Sequence, residues 1–84
     1  MEYKVFVRLF VPEIEDSYEA FIPINKTVGE ITVLFNQLVS NLSGIYPQDK
    51  NIILYNRRTG VPYDRNLLIR DTDIRNGTEL TMIS

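Results

Sequence analysis

From Tyr3 to Val11 the side chains alternate in kind, and this run sets the first constraint on the fold. Tyr3, Val5, Val7, Leu9 and Val11 fall on one side, and Lys4, Phe6, Arg8 and Phe10 on the other. A period of two belongs to a strand with one face buried, so the all-apolar row is predicted to face the core. Pro12 cannot donate to a ladder and closes the run, and Glu13-Ile14-Glu15-Asp16-Ser17 reads as a solvated connection. Alternation resumes from Tyr18 to Ile24, with Tyr18, Ala20, Ile22 and Ile24 inward and Glu19, Phe21 and Pro23 outward. The proline marks an edge strand. Two such strands need a further element to cover their shared apolar row.

That element follows at once. Thr27-Val28-Gly29-Glu30 is a capping-box pattern, in which the threonine oxygen accepts from the amide three residues on and the glutamate reaches back. Beyond it the period becomes helical. Val28, Ile31, Leu34, Phe35, Leu38, Val39 and Leu42 share one arc, and Gly44 sits where a left-handed cap is wanted. The opposite side, with Thr32, Val33, Asn36, Gln37, Ser40, Asn41 and Ser43, carries no charge and reads either as simple drift or as a weak contact surface. After Ile45-Tyr46-Pro47 and a polar turn, Asn51 to Asn56 reads as a third strand, with Ile52 and Leu54 opposite Ile53 and Tyr55. Arg57-Arg58-Thr59-Gly60 is a solvated hairpin turn into a short edge strand, Val61-Pro62-Tyr63. Leu67 to Asp73 is irregular or one helical turn. The last strand is Glu79 to Ile83, with Leu80 and Met82 inward and Thr81 and Ile83 outward. The order predicts one α+β domain over residues 1–84, a mixed sheet with one main helix across one face, and the first and last strands side by side in its middle.

Composition narrows the chemistry. The chain has 84 residues, no histidine and no cysteine, which leaves no imidazole base, no thiol nucleophile and no His- or Cys-held metal. A net charge of -2 with a pI near 5.0 argues against a nucleic-acid partner. No basic segment followed by an apolar one opens the chain, and no long apolar run follows; the expectation is a cytoplasmic protein without membrane insertion. Asp71-Thr72-Asp73-Ile74-Arg75-Asn76-Gly77 begins like a calcium loop. It places Arg75 at a ligand position, and the sequence favours a turn in which Asp71 bonds to nearby backbone. No catalytic, cofactor-binding or metal-binding residue is expected.

The carboxy-terminal run from Leu67 to Leu80, with Ile69, Asp71, Ile74, Gly77 and Leu80 at matching spacing, resembles the ubiquitin-like β-grasp family. The hairpin and the Thr27-capped helix correspond as well, so the resemblance covers the whole chain. It implies the β-grasp fold. Conjugated and sulfur-carrying members end in Gly-Gly, whereas this sequence ends Met82-Ile83-Ser84 and contains only Lys4, Lys26 and Lys50 as lysines. Among members that are never conjugated it looks most like the small bacterial YukD/EsaB type. That likeness implies an accessory or regulatory role in type VII (WXG100/Esx) secretion, with a secretion-machinery component as partner.

The residue pattern also nominates a surface. If Val5, Val7 and Leu9 point inward, then Phe6, Arg8 and Phe10 point outward beside Phe21, and Ile53, Tyr55 and Ile83 join them from the other strands. No second helix is available to cover this face, and an open apolar patch of this kind marks a protein-binding surface. Arg8 is either its anchor or the partner of Glu19 across the hairpin. A different reading makes the domain a self-associating module, with Phe6, Phe10, Phe21 and Ile83 burying one another across a homodimer. A third is a carrier that has lost its tail.

Overall fold

A computed structural model describes residues 3–44, 46 and 51–84. The first strand, β1 (Lys4–Val11), turns through a single 3-10 turn at Pro12–Ile14 into β2 (Asp16–Pro23), and Glu15 takes the left-handed conformation that reverses the chain. Helix α1 (Val28–Ser43) follows, then β3 (Ile53–Asn56), a second 3-10 turn at Ile69–Asp71, and β4 (Thr78–Ile83). The sheet order is β2-β1-β4-β3, with β1 and β4 parallel and the outer pairs antiparallel. The expected central pairing of the first and last strands holds, as does the edge position of the strand that contains Pro23. The second strand begins at Asp16, inside the stretch read as a solvated connection. The third begins at Ile53, and Val61-Pro62-Tyr63 forms only a bridge, between Tyr55 and Pro62. Ile45, Pro47 and the polar turn after them lie outside the described residues.

The inner rows behave as the alternation requires. Val7, Leu9, Val11, Leu54, Leu80 and Met82 are buried and meet Val28, Ile31, Phe35 and Val39 of α1. Tyr3 does not join them, since it stands before β1 and is 63% exposed. The helix starts as its sequence dictates: Thr27 Oγ1 accepts from the Glu30 amide at 3.1 Å, and the Thr27 amide donates to Glu30 Oε1 at 2.9 Å. It stops at Gly44 with φ 72°.

One expectation about α1 fails. Leu34, Leu38 and Leu42 are exposed, whereas Thr32 and Asn36 are buried. The cause lies in the tethers along one flank. The amides of Val28 and Gly29 donate to the carbonyls of Leu67 and Arg65, at 2.8 and 3.0 Å, and Ser40 Oγ donates to the Tyr46 carbonyl at 2.7 Å. Any side chain at Gly29 would meet the Arg65 carbonyl at 3.2 Å, so glycine permits this approach. These contacts roll the helix toward the segment after β3, carry Thr32 and Asn36 inward, and lift the leucine flank out. Thr32 satisfies its hydroxyl by donating to the Val28 carbonyl at 2.7 Å.

Candidate protein-binding face

Strand register places all seven nominated residues on the sheet face opposite α1. Phe6 lies across from Phe21, with ring centroids 5.3 Å apart and planes tilted by 56°. Arg8 lies across from Glu19 on one side and Glu79 on the other. Phe10 neighbours Thr81, which faces Tyr55, and Ile53 faces Ile83 at the far corner.

The face is banded and does not form one continuous apolar patch. Arg8 bridges to Glu19 at 3.2 Å and to Glu79 at 3.8 Å, and Arg57 reaches Glu79 at 3.3 Å. This Glu19–Arg8–Glu79–Arg57 ladder runs from β2 across β1 and β4 to the turn after β3 and parts the phenylalanine pair from the isoleucine corner. Its members are half-exposed, so each bridge contributes roughly 1 kcal/mol or less to stability; the ladder's effect is to order the surface. The expected pairing of Arg8 with Glu19 across the hairpin is present, and Arg8 serves a second carboxylate, Glu79, as well. Arg57 does not belong to a free turn. Its guanidinium folds back to 3.6 Å from the centroid of the half-buried Phe10 ring. Arg57 and Glu79 are thus the site residues missed by sequence reasoning. The available signal was the outward parity of Glu79 next to that of Arg8.

Beside Arg57 a shallow cleft of about 350 Å³ opens between Phe10, Pro12, Asp16 and Thr81. A second, about 440 Å³, lies between Asn56, Arg58, Asp73, Asn76 and Thr78. At its rim Tyr63 donates to Asp73 Oδ1 at 2.6 Å and accepts from Asn56 Nδ2 at 2.9 Å. Burial pushes the Tyr63 hydroxyl up to about 12, and the bond to Asp73 adds to the shift. Asn76 closes the site beneath, its Oδ1 accepting from the Phe6 amide at 2.8 Å. The 71–77 turn is tied by Thr72, whose hydroxyl donates to the Ile69 carbonyl at 2.6 Å and accepts from the Ile74 amide at 3.1 Å; among the described residues the Asp71 side chain makes no hydrogen bond. Among the described residues no three acidic, histidine or cysteine side chains are grouped to hold a metal ion. No helix among them is long and apolar enough to cross a membrane.

The comparisons follow from this geometry. The ubiquitin-like domain of the Mycobacterium tuberculosis type VII secretion protein EccD1 superposes with a TM-score of 0.73 at 12% identity, covering 96% of this chain and 98% of that one. The fold is a ubiquitin-like β-grasp. A chain of the MycP5-free ESX-5 inner membrane complex matches with a TM-score of 0.72 at 15% identity, over 96% of this chain and 21% of its own length. A chain of the toluene 4-monooxygenase HD complex matches with a TM-score of 0.79 at 9% identity, covering 94% of this chain and 95% of that one. At such identities the likeness establishes the fold and no shared activity. No family model and no curated protein matches the sequence.

Proposed function

We propose that the domain is a non-catalytic protein-binding module that docks a protein partner through its outer sheet face, as an accessory or regulatory component of type VII secretion of the YukD/EsaB type. The observation that carries the docking reading is the banded face itself. Two apolar patches, Phe6 with Phe21 and Ile53 with Ile83, flank an ordered ladder of charge, and no element among the described residues covers them. Such a face offers both contact area and a fixed pattern of charge to be read. The secretion context is supported by the likeness to the EccD1 domain and to part of the ESX-5 complex. The oxygenase likeness sets the competing context, a subunit of an enzyme assembly.

Affinity capture from the native host's lysate and solubilised membranes tests the reading, with wild type compared against Phe10→Arg. This substitution places a second cation beside Arg57 and disorders the ladder. Secretion ATPase or channel components enriched by wild type alone are the expected result. Enrichment of oxygenase subunits would replace the secretion context and keep the face; equal capture by both proteins would remove the face.

A further inference from the structure

Asn76 and Gly77 together engage both backbone groups of Phe6. The Phe6 amide donates to Asn76 Oδ1 at 2.8 Å, and the Gly77 amide donates to the Phe6 carbonyl at 2.8 Å. These two bonds extend the parallel pairing of β1 with β4, which opens with Val7 opposite Thr78, by one residue toward the start of β1. The turn that presents them is closed from both ends. The Thr78 amide donates to the Arg75 carbonyl at 3.0 Å, and the Arg75 amide donates to Thr78 Oγ1 at 2.8 Å. Gly77, with φ 88°, supplies the positive φ that the third position of a type II turn requires. Asn76 is exposed to water all the same, and it is the one asparagine in the sequence that precedes a glycine.

We infer that Asn76–Gly77 is a deamidation site gated by its pairing with Phe6. An asparagine side chain cyclises when the next backbone nitrogen loses its proton and attacks the side-chain carbonyl carbon, and a following glycine, with no side chain and a free backbone, obstructs that approach least. In the closed arrangement neither partner is available. The Gly77 proton sits in a bond to the Phe6 carbonyl, and Asn76 Oδ1 is held on the Phe6 amide, so each reacting group is turned to Phe6 instead of to the other. Opening needs only these two bonds at the end of the β1–β4 ladder to part; the pairing of β1 with β2 stays whole. In the open state Gly77 N bonds to Asn76 Cγ, the Cγ–Nδ2 bond breaks, and the proton given up by Gly77 leaves with Nδ2 as ammonia. Water then opens the cyclic imide. Cleavage of the new Cγ–N bond gives aspartate at position 76, and cleavage of the original peptide bond gives isoaspartate, whose backbone runs through the former side chain and is longer by a methylene. The aspartyl product still offers Phe6 an acceptor and adds a carboxylate to the cleft that holds Asp73 and Glu79. The isoaspartyl product has spent that side chain on the backbone and displaces Gly77, so it cannot make both bonds to Phe6.

The test incubates the whole chain at neutral pH and reads two rates on the same samples: formation of aspartate and isoaspartate at position 76 by peptide mapping, and hydrogen exchange at the Gly77 amide. The nitrogen whose exchange reports the opening is the one that attacks. Cyclisation is far slower than reclosing, so its rate is proportional to the open fraction. A short peptide covering residues 73–79 gives the ungated rate of each process under the same conditions. Folded protein is expected to deamidate at least about tenfold more slowly than the peptide. Through a series of guanidinium concentrations below the unfolding transition, deamidation and Gly77 exchange, each relative to the peptide, are expected to rise by the same factor. A folded protein that deamidates at the peptide's rate would overturn the inference. So would a deamidation rate that stays constant while Gly77 exchange accelerates, since cyclisation would then not pass through the opening of the Phe6 pairing.

Discussion

The guanidinium of Arg57 lies 3.6 Å from the centroid of Phe10 while its Nη1 holds Glu79 at 3.3 Å. One side chain therefore covers an outward-facing ring and terminates the charge ladder. The stacked arrangement depends on a planar cation, which lysine lacks. A double-mutant cycle on Arg57 and Phe10, read by urea unfolding, is expected to return a coupling of roughly 0.5–1 kcal/mol, with Arg57→Lys recovering less than half. Additive single losses would show that the stack contributes nothing.

The Thr27 cap is a stronger local determinant than any bridge on the face, since two bonds close it from both directions. Thr27→Ala leaves the Glu30 amide and the Glu30 carboxylate without their partner hydroxyl. It is expected to cost about 1 kcal/mol in chemical denaturation. The bond from the Thr27 backbone amide holds the Glu30 carboxyl below its usual range, with a smaller contribution from the Thr27 hydroxyl. A lowered carboxyl pKa gives stability that is present at neutral pH and lost as pH falls through the folded value. Glu30→Gln is therefore expected to flatten the acid limb of the stability curve.

These local features were legible in the sequence because each is fixed by residues close together. The capping box, the left-handed Gly44, the strand parities and the parallel central pair all follow from patterns within one element or from chain order. The helix roll was not legible. It is set by the Val28 and Gly29 amides reaching the carbonyls of Leu67 and Arg65, a backbone contact between segments far apart in sequence. The arc predicted at Leu34, Leu38 and Leu42 was a reasonable apolar stripe, and the tethers moved the buried stripe by one residue row. The candidate face was legible as a set of outward residues. Its ladder was not, because Arg57 lies in a turn whose fold-back onto Phe10 has no sequence pattern.

The roll makes a mutational contrast that the sequence pattern would have reversed. Phe35→Ala empties a buried site, at 4% exposure, and is expected to cost about 3–5 kcal/mol. Leu42→Ala, equal to it in the predicted arc, removes a side chain that is 63% exposed and is expected to cost about 0.5 kcal/mol or less. Thermal or urea unfolding of the two variants decides between the rolled helix and the simple stripe. Comparable losses would restore the stripe.

Tyr63 supplies the alkaline counterpart to Glu30. Its hydroxyl is raised to about 12 by burial first and by donation to Asp73 second, against an ordinary value near 10. The folded state thus holds the phenol proton more tightly than the unfolded chain does. The stabilisation is complete below about pH 10 and is lost as pH rises from there toward 12. Tyr63→Phe removes the titrating group along with the bonds to Asp73 and Asn56. It is expected to be less stable than wild type at pH 7, with the gap narrowing across that alkaline window. Ultraviolet titration of the phenolate, with Tyr63→Phe as the difference spectrum, checks the same shift directly. A Tyr63 that ionises with the exposed tyrosines would mean that Asp73 does not hold its proton.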